Sequence, residues 1–413
     1  MKAFLKYIFF LLTFLSVDGV NAQNCHPDSL ITLPVRASDT DSNIPWEFYR
    51  HYTFFNPDCP PRNKLLVHLV GTYGNPSSSL IFPGLAANNG FHVVSLKYNN
   101  DTSAQAVCGN STDVNCHYNF RKEIIEGIDY SPDVAVDSVN SIYNRLIRLL
   151  QYMDTNYPGQ GWGSFYSGNT INWSNILLSG HSQGGGHIAV ISIDNSVERV
   201  LMFASPNDYS HAYSQVPDWT SLPSATPYSA YYSFNNINDQ VAEYNWQYTS
   251  ALNLGEGNFG DSINVDNKSC PYMFSHNLYT SIDSSGFTTN HGMVVSDNNI
   301  IMDSTGKPIF EDVWRYMLGI ECLPLSTSEI VSNDLQPKVF PNPANDYVQV
   351  KTSALATPLS YRFITITGQD VTAKVHEMSG VAFDISGLSP GTYFVQFTDL
   401  NGNCSVQKLI IRH

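Results

Sequence analysis

Short apolar runs recur along the first part of the chain, with the length and composition of buried β-strands. The first two runs are β-rich and bounded by residues such as Gly and Asn, and the others look similar. The runs occupy residues 64–70, 91–98, 175–179, 199–204 and 228–234. Helical patterns lie between some of them, because residues 134–153 carry apolar positions three or four apart and residues 184–193 directly follow a strand. This alternation predicts an α/β fold, with a mostly parallel sheet flanked by helices on both faces.

Residues 99–130 interrupt that alternation. The segment is polar and irregular, and it contains Cys108, Cys116 and a charged patch at residues 121–126. Long irregular segments often act as lids over active sites. We therefore expect either a cap over the site or a surface insertion, and both interpretations stay open.

A change of pattern marks a second domain. Residues 323–337 are polar and without periodicity, which is typical of a linker. The region beyond, residues 338–413, contains only strand patterns separated by turn-forming residues, at 347–351, 361–367, 381–385, 392–398 and 405–411. These residues are predicted to form a small all-β antiparallel sandwich.

The N-terminus has the features of a secretory signal. Lys2 and Lys6 precede an apolar run at residues 7–15, and a stretch with small residues ends at Ala22. The run is too short to cross a bilayer comfortably, which argues against a membrane anchor. Residues 1–22 are therefore predicted to be a cleaved signal peptide, and residues 23–322 the main domain. No later segment is long and apolar enough to span a membrane, so we expect no transmembrane segment in the mature chain.

Composition and charge limit the partners. The 413 residues are 42% hydrophobic and 14% charged, which is enough for two domains with cores of their own. The formal net charge of −15 argues against binding to nucleic acid and, more weakly, against an anionic membrane. Small uncharged or cationic substrates are compatible with it.

Seven cysteines fit an oxidising compartment outside the cytoplasm. Cys108 and Cys116 enclose a short polar loop and are the first predicted disulfide. Sequence proximity suggests two more pairs in the main domain, Cys25 with Cys59 and Cys270 with Cys322. The Cys-x-x-Cys and His-x-x-x-His spacings of zinc sites are lacking, so we expect no metal.

Residues 180–184, Gly-His-Ser-Gln-Gly, match the G-x-S-x-G pattern of a nucleophile elbow. The motif follows an apolar strand and precedes a helical pattern, which is the context that the chemistry requires. There a serine sits on a sharp turn at the top of the sheet, and the glycines avoid collisions with neighbouring backbone. Ser182 is therefore the candidate nucleophile.

A serine hydroxyl needs a base, and the base needs an acid to orient it; in this motif class their chain order is Ser, acid, His. His291 lies in a polar turn near the end of the main domain and is the candidate base. Asp239, in the loop after the strand that ends near Phe234, is the candidate acid, and Asp208 after the preceding strand is the alternative. Four other histidines are weaker candidates by position: His181, His187, His211 and His276.

Two N–H donors must stabilise the negative charge that develops on the substrate. One is expected to be the backbone N–H of Gln183, the residue after the nucleophile. The other is expected in the loop after the strand at residues 64–70, at Gly71 or Thr72.

Because of these residues and their order, the part of the chain from about residue 25 to residue 322 resembles the α/β-hydrolase family. The resemblance implies an α/β-hydrolase fold and hydrolysis of a carboxylic ester through an acyl-enzyme, without a cofactor. The substrate would be a small or polymer-derived ester. One departure is the oxyanion loop, where the His-Gly pair common in the family is replaced by Val70-Gly71-Thr72.

The tail resembles the C-terminal sorting domain of type IX secretion substrates in the Bacteroidota. The matching pieces are Val339-Phe340-Pro341-Asn342-Pro343-Ala344, the turn at Gly368, residues 387–393, and the basic-then-apolar ending at residues 408–411. The resemblance implies passage through the periplasm, interaction with the type IX secretion machinery, and a secreted or cell-surface protein. A carbohydrate-binding sandwich is the alternative, which the small number of available tail aromatics disfavours.

Two other functions stay open. A peptidase on the same scaffold would need a site for a peptide chain, and the sequence identifies none. A surface binding protein that has lost catalysis would have a buried or unpaired Ser182, with His291 beyond hydrogen-bond reach.

Overall fold

The structure, a computed structural model, describes residues 25–284, 289–320, 338–351, 360–379, 382–398 and 404–412. The predicted signal peptide, residues 1–22, and the predicted linker, residues 323–337, lie outside the described residues. Within the described part, one large mixed sheet with flanking helices precedes a separate, small antiparallel β region near the C-terminus.

The large sheet is built around the apolar runs of the sequence. Its strands are β1 (Ile31–Val35), β2 (His51–Phe55), β3 (Leu65–Leu69), β4 (His92–Leu96), β7 (Ile176–His181), β8 (Arg199–Phe203), β9 (Tyr231–Asn236), β10 (Ile263–Asn264) and β11 (Asn277–Thr280). Strands β5 (Tyr166–Ser167) and β6 (Thr170–Ile171) form a separate hairpin. The strand order is β1-β2-β4-β3-β7-β8-β9-β11-β10. Strand β2 pairs antiparallel with both β1 and β4, and the pairings from β4 to β10 are parallel.

Helices cover both faces of this sheet. They are α1 (Ala37–Thr40), α2 (Ile81–Ala87), α3 (Ala104–Cys108), α4 (Cys116–Glu126), α5 (Ile142–Asn156), α6 (Gln183–Asp194), α7 (Tyr244–Asn253), α8 (Thr289–Gly292) and α9 (Glu311–Met317). Two apolar cores result, one with α4, α5 and α6 and the other with α2 and α9. Strand β3 divides its side chains between them, since Leu65 and Val67 belong to the first core and Leu66 to the second.

The five strands predicted from apolar runs in this region are present as β3, β4, β7, β8 and β9. The helix predicted at 134–153 is wrong over its first part, because α5 begins only at Ile142. Val136 is buried, as its spacing suggested, but its N–H donates to Oε1 of Glu123 at 3.1 Å instead of to a helical carbonyl. Residues 99–130 were expected to be irregular, and they instead contain α3 and α4.

The tail forms two antiparallel sheets around one apolar core. One sheet contains β12 (Lys338–Phe340), β13 (Tyr347–Lys351), β15 (His376–Ser379) and β16 (Ala382–Asp384), and the other contains β14 (Ser360–Thr365), β17 (Gly391–Thr398) and β18 (Cys404–Ile411). Five of these match the predicted strand patterns, and β12 and β15 were missed.

Two predicted disulfides are present, Cys25–Cys59 and Cys108–Cys116. The first ties the chain before β1 to the connection between β2 and β3, and the second joins the end of α3 to the start of α4. Cys270 is also disulfide-bonded. Its predicted partner, Cys322, lies outside the described residues.

Candidate active site

Ser182 occupies a sharp turn between β7 and α6. Its backbone has φ 54° and ψ −122°, a conformation with positive φ that residues other than glycine rarely adopt. The turn needs glycine on both sides: a Cβ at Gly180 would lie 2.5 Å from the carbonyl carbon of Gly184, and a Cβ at Gly184 would lie 2.2 Å from the carbonyl oxygen of Leu69. The N–H of Ser182 donates to the carbonyl of Phe203 at 2.9 Å, which fixes the turn to β8. The serine hydroxyl is thereby held at the carboxyl edge of the parallel strands.

Asp239 and His291 come together although 52 residues separate them. Asp239 follows β9 and His291 lies on α8, and Nδ1 of His291 is 2.6 Å from Oδ2 of Asp239. The Asp239 side chain is fully buried, and its other oxygen accepts hydrogen bonds from the N–H groups of Val241 and Ala242. Burial acts to raise the pKa of Asp239, but the hydrogen bond to His291 and these two N–H groups outweigh it, so the pKa lies below its ordinary value. Asp239 is therefore an ionised acceptor that orients the imidazole.

His291 Nε2, the atom that a catalytic base would use, points away from Asp239. It is buried and has no hydrogen-bond partner within the described residues. Ser182 and His291 line the same cavity, of about 680 Å³. The Ser182 hydroxyl oxygen accepts a hydrogen bond from Nδ2 of Asn207 at 3.2 Å, and no bond joins it to His291 in the described part of the chain. The serine and the imidazole therefore share a cavity without a direct contact.

Asp208, the alternative acid, has a different partner. It is fully buried against Arg121, whose Nη2 and Nε lie 2.5 and 2.8 Å from its two oxygens, and Nε1 of Trp219 donates to it at 3.0 Å. Burial alone would raise the pKa of Asp208, but the positive charge of Arg121 lowers it to about 2. Arg121 also donates from Nη1 to the carbonyl of Gln183 at 2.9 Å. Asp208 is thus committed to an ion pair behind the elbow, and the histidine partner is Asp239.

The candidate oxyanion donors lie around Ser182. Gly71 approaches so closely that a Cβ on it would lie 2.9 Å from Cβ of Ser182, and Thr72 lines the cavity beside it. Gln183 begins α6, so its N–H has no carbonyl four residues earlier within the helix. Among the described residues, the N–H groups of Thr72 and Gln183 have no backbone acceptor outside helices and strands. Within the described residues, these two N–H groups therefore remain available next to Ser182.

Three residues that contact the candidate site residues were overlooked in the sequence. Asn207 was passed over beside Asp208, although its amide reaches the Ser182 hydroxyl. His181 was set aside because it lies inside the elbow, yet its Nε2 lies 3.0 Å from the carbonyl oxygen of His291. Since a carbonyl only accepts, Nε2 carries the proton; burial lowers the pKa of His181 to about 3, which keeps this ring neutral. Arg121 was counted only as part of the charged patch at residues 121–126.

Residues 99–130 supply part of the cavity wall. Ser103, Gln105 and Ala106 line it, and α3 is fastened to the elbow through the side chain of Gln183. That side chain accepts from the N–H of Ala104 at 2.8 Å and donates to the carbonyl of Thr102 at 3.0 Å. The start of the segment is therefore attached to the turn that carries Ser182.

One group of potential metal ligands occurs in the described part of the chain, formed by Cys108, Cys116 and Asp133. The two sulfur atoms form a disulfide, so they are not available as thiolate ligands. None of the three lines the cavity of Ser182.

Comparison with known families identifies the tail. Residues 338–412 match the family model of the secretion system C-terminal sorting domain. The tail is a type IX secretion sorting domain. A sorting domain of this type indicates secretion or export to the cell surface, and it implies the type IX secretion machinery as a partner. No helix in the described residues is long and apolar enough to cross a membrane. A search of the curated proteins finds no match to this chain.

Proposed function

We propose that the main domain is an α/β-hydrolase that cleaves carboxylic esters with Ser182 as nucleophile, His291 as base and Asp239 as the orienting acid. The observation that carries the proposal is the 2.6 Å contact between Asp239 and His291 in the same cavity as the strained turn of Ser182. The chain order serine, acid, histidine and the placement of the serine between a central strand and a helix also support it.

The geometry suggests a sequence of steps. Nε2 of His291 takes the proton of the Ser182 hydroxyl as the oxygen attacks the ester carbonyl. The N–H groups of Gln183 and of Gly71 or Thr72 stabilise the negative charge on the carbonyl oxygen. The alcohol leaves with the proton from His291, and water then releases the acid from the acyl-enzyme by the same route. Before attack, the Ser182 O–H must donate to Nε2 of His291, while the same oxygen can still accept from Asn207; catalytic hydrogen bonds are often long in ligand-free enzymes.

Hydrolysis of p-nitrophenyl acetate tests the proposal. We expect turnover by the full mature chain, and a loss of about 10⁴-fold or more in Ser182→Ala and His291→Ala. Ser221→Ala, an exposed serine elsewhere in the domain, is the matched control and is expected to keep full activity. Activity that survives in Ser182→Ala would overturn the mechanism. A peptide p-nitroanilide assayed in parallel separates ester from peptide hydrolysis.

One observation favours a second candidate, a surface binding protein without catalysis. Ser182 is only 7% exposed, and its hydroxyl bonds to Asn207 instead of His291. A folded chain that hydrolyses neither esters nor peptides would support this candidate over the hydrolase.

A further inference from the structure

Four aromatic side chains stand exposed near the candidate site. Trp46, Phe48 and Tyr49 lie in the connection between α1 and β2, and Tyr73 lies in the loop after β3. Their exposed fractions are 67, 73, 48 and 75%, respectively. Large apolar groups exposed together on a soluble domain mark an interaction surface. We call these four residues the aromatic strip.

The aromatic strip lies at the same edge of the sheet as Ser182. The first residue of β2, His51, accepts from the N–H of Lys97, the residue after β4, so the start of β2 meets the carboxyl ends of the parallel strands. The Lys97 ammonium lies 5.9 Å from the Tyr49 ring and donates to Oδ1 of Asn100 at 2.7 Å. The backbone carbonyl of Asn100 in turn accepts from the N–H of Tyr73. Three strand spacings, about 14 Å, separate β2 from β7. The strip therefore runs from the outer strands towards the cavity, where Tyr73 is a lining residue.

The outer part of the strip is held in place. The guanidinium of Arg36 lies 4.9 Å from the centre of the Trp46 ring and donates to the carbonyl of Glu47 at 2.8 Å. The Glu47 carboxylate forms an ion pair with Arg145 on α5. Because these contacts fix the loop before any ligand arrives, binding on it costs little additional ordering.

The cavity has mostly apolar walls with uncharged polar groups set among them. No Asp, Glu, Lys or Arg is among the described residues that line it. Its side chains instead offer hydroxyl and amide groups, including those of Thr72, Asn207, Asn298 and Asn299. A charged substituent would be buried there without a counter-ion, at a high cost in free energy. Hydroxyl groups of a ligand would find donors and acceptors.

We propose that the aromatic strip binds a neutral polysaccharide chain and that the cavity receives one of its sugar units, esterified on a hydroxyl. The proposal rests on the proposed ester hydrolase function and names the substrate class of that site. Rings stack on the apolar faces of sugars while amides and hydroxyls bind their oxygens. All four residues of the strip are aromatic, and exposed Val241 is an aliphatic lining residue of the adjoining cavity. A net charge of −15 disfavours an anionic lipid surface.

The reaction on such a substrate balances. The Ser182 oxygen forms a bond to the acyl carbon, and the bond from that carbon to the sugar oxygen breaks. The sugar oxygen leaves as a hydroxyl with the proton held by His291. Water then hydrolyses the acyl-serine to a carboxylic acid and restores the serine.

Binding and turnover are measured separately. Affinity electrophoresis with the full mature chain carrying Ser182→Ala measures binding to partially acetylated xylan, to polygalacturonate as an anionic polysaccharide, and to phosphatidylcholine vesicles as a lipid surface. We expect binding to the acetylated xylan alone. Trp46→Ala and Tyr73→Ala, each added to that background, should weaken it about fivefold, the equivalent of about 1 kcal/mol. Tyr228→Ala, an exposed ring before the amino end of β9 and so at the opposite edge, should leave it unchanged.

In the enzyme that retains Ser182, Trp46→Ala should raise KM for acetylated xylan about fivefold relative to KM for p-nitrophenyl acetate. Binding to vesicles or polygalacturonate instead, binding to none of the three probes, or equal effects of Trp46→Ala and Tyr228→Ala would overturn the proposal. Failure of the proposed function has a different signature. In that case the chain still binds acetylated xylan through Trp46 and Tyr73, but it hydrolyses no ester.

Discussion

Substitution of the two candidate acids, Asp208 and Asp239, should have different effects: one on stability and the other on turnover. In Asp208→Asn the side chain keeps its shape but loses its charge, and the guanidinium of Arg121, which is fully buried, loses its counter-ion. Removing one partner of a buried pair costs about 3–5 kcal/mol. For a domain of this size that lowers Tm by about 5–8 °C. Asp239→Asn should instead lower kcat for p-nitrophenyl acetate by about 10³–10⁴-fold, because the amide no longer fixes the imidazole of His291.

Differential scanning fluorimetry and ester turnover at 15 °C, on the same preparations, measure both effects. Asp208→Asn should remain folded at that temperature and lose less than about tenfold in kcat, since Arg121 still reaches the carbonyl of Gln183. Asp239→Asn should keep most of its Tm. The reasoning is refuted if the pattern inverts, with Asp208→Asn inactive at unchanged Tm and Asp239→Asn active.

Three further predictions follow from single contacts. Gly71→Ala places a methyl 2.9 Å from Cβ of Ser182, so kcat for p-nitrophenyl acetate should fall about 10–100-fold; unchanged kinetics would show that the loop moves freely. Replacing Cys108 and Cys116 together by Ser opens a loop closed across eight residues, and urea titration should show a free energy of unfolding lower by about 2–3 kcal/mol. The pKa of Asp208 is about 2 in the folded state and near 4 when unfolded, so its contribution to stability is complete above pH 4 and is lost as the pH falls towards 2. The Tm of Asp208→Asn should therefore depend less on pH in that window than the Tm of the unmodified chain, and equal dependence would contradict the assignment.

The strands that the sequence revealed are those buried on both faces, where most positions are apolar. Strand β1 escaped notice because it contains Pro34 and alternates between exposed and partly buried positions at the sheet edge. The helix at 134–153 was drawn too long because periodicity reports burial and not hydrogen bonding. The carboxylate of Glu123 accepts the N–H groups of Tyr130, Ser131 and Val136, and a loop satisfied by one distant side chain has no local signature.

The residues of the candidate site likewise fall into those that the sequence could suggest and those that it could not. The sequence offers Ser182 as a candidate because the elbow imposes glycines at fixed spacing, and it offers Asp239 and His291 because chain order limits the choices. The ion pair of Asp208 with Arg121 could not be predicted, since its partners lie 87 residues apart and charge alone does not reveal burial. The loop after β8 carries both Asn207 and Asp208, and only the three-dimensional structure separates the residue that faces Ser182 from the one that faces Arg121.

Covalent labelling of the purified mature chain by a fluorophosphonate, with the modified residue located by mass spectrometry, tests the central claim most directly. We predict a single adduct on Ser182, which disappears in Ser182→Ala and forms much more slowly in His291→Ala. A folded chain that takes no label, or one labelled equally in Ser182→Ala, would contradict it.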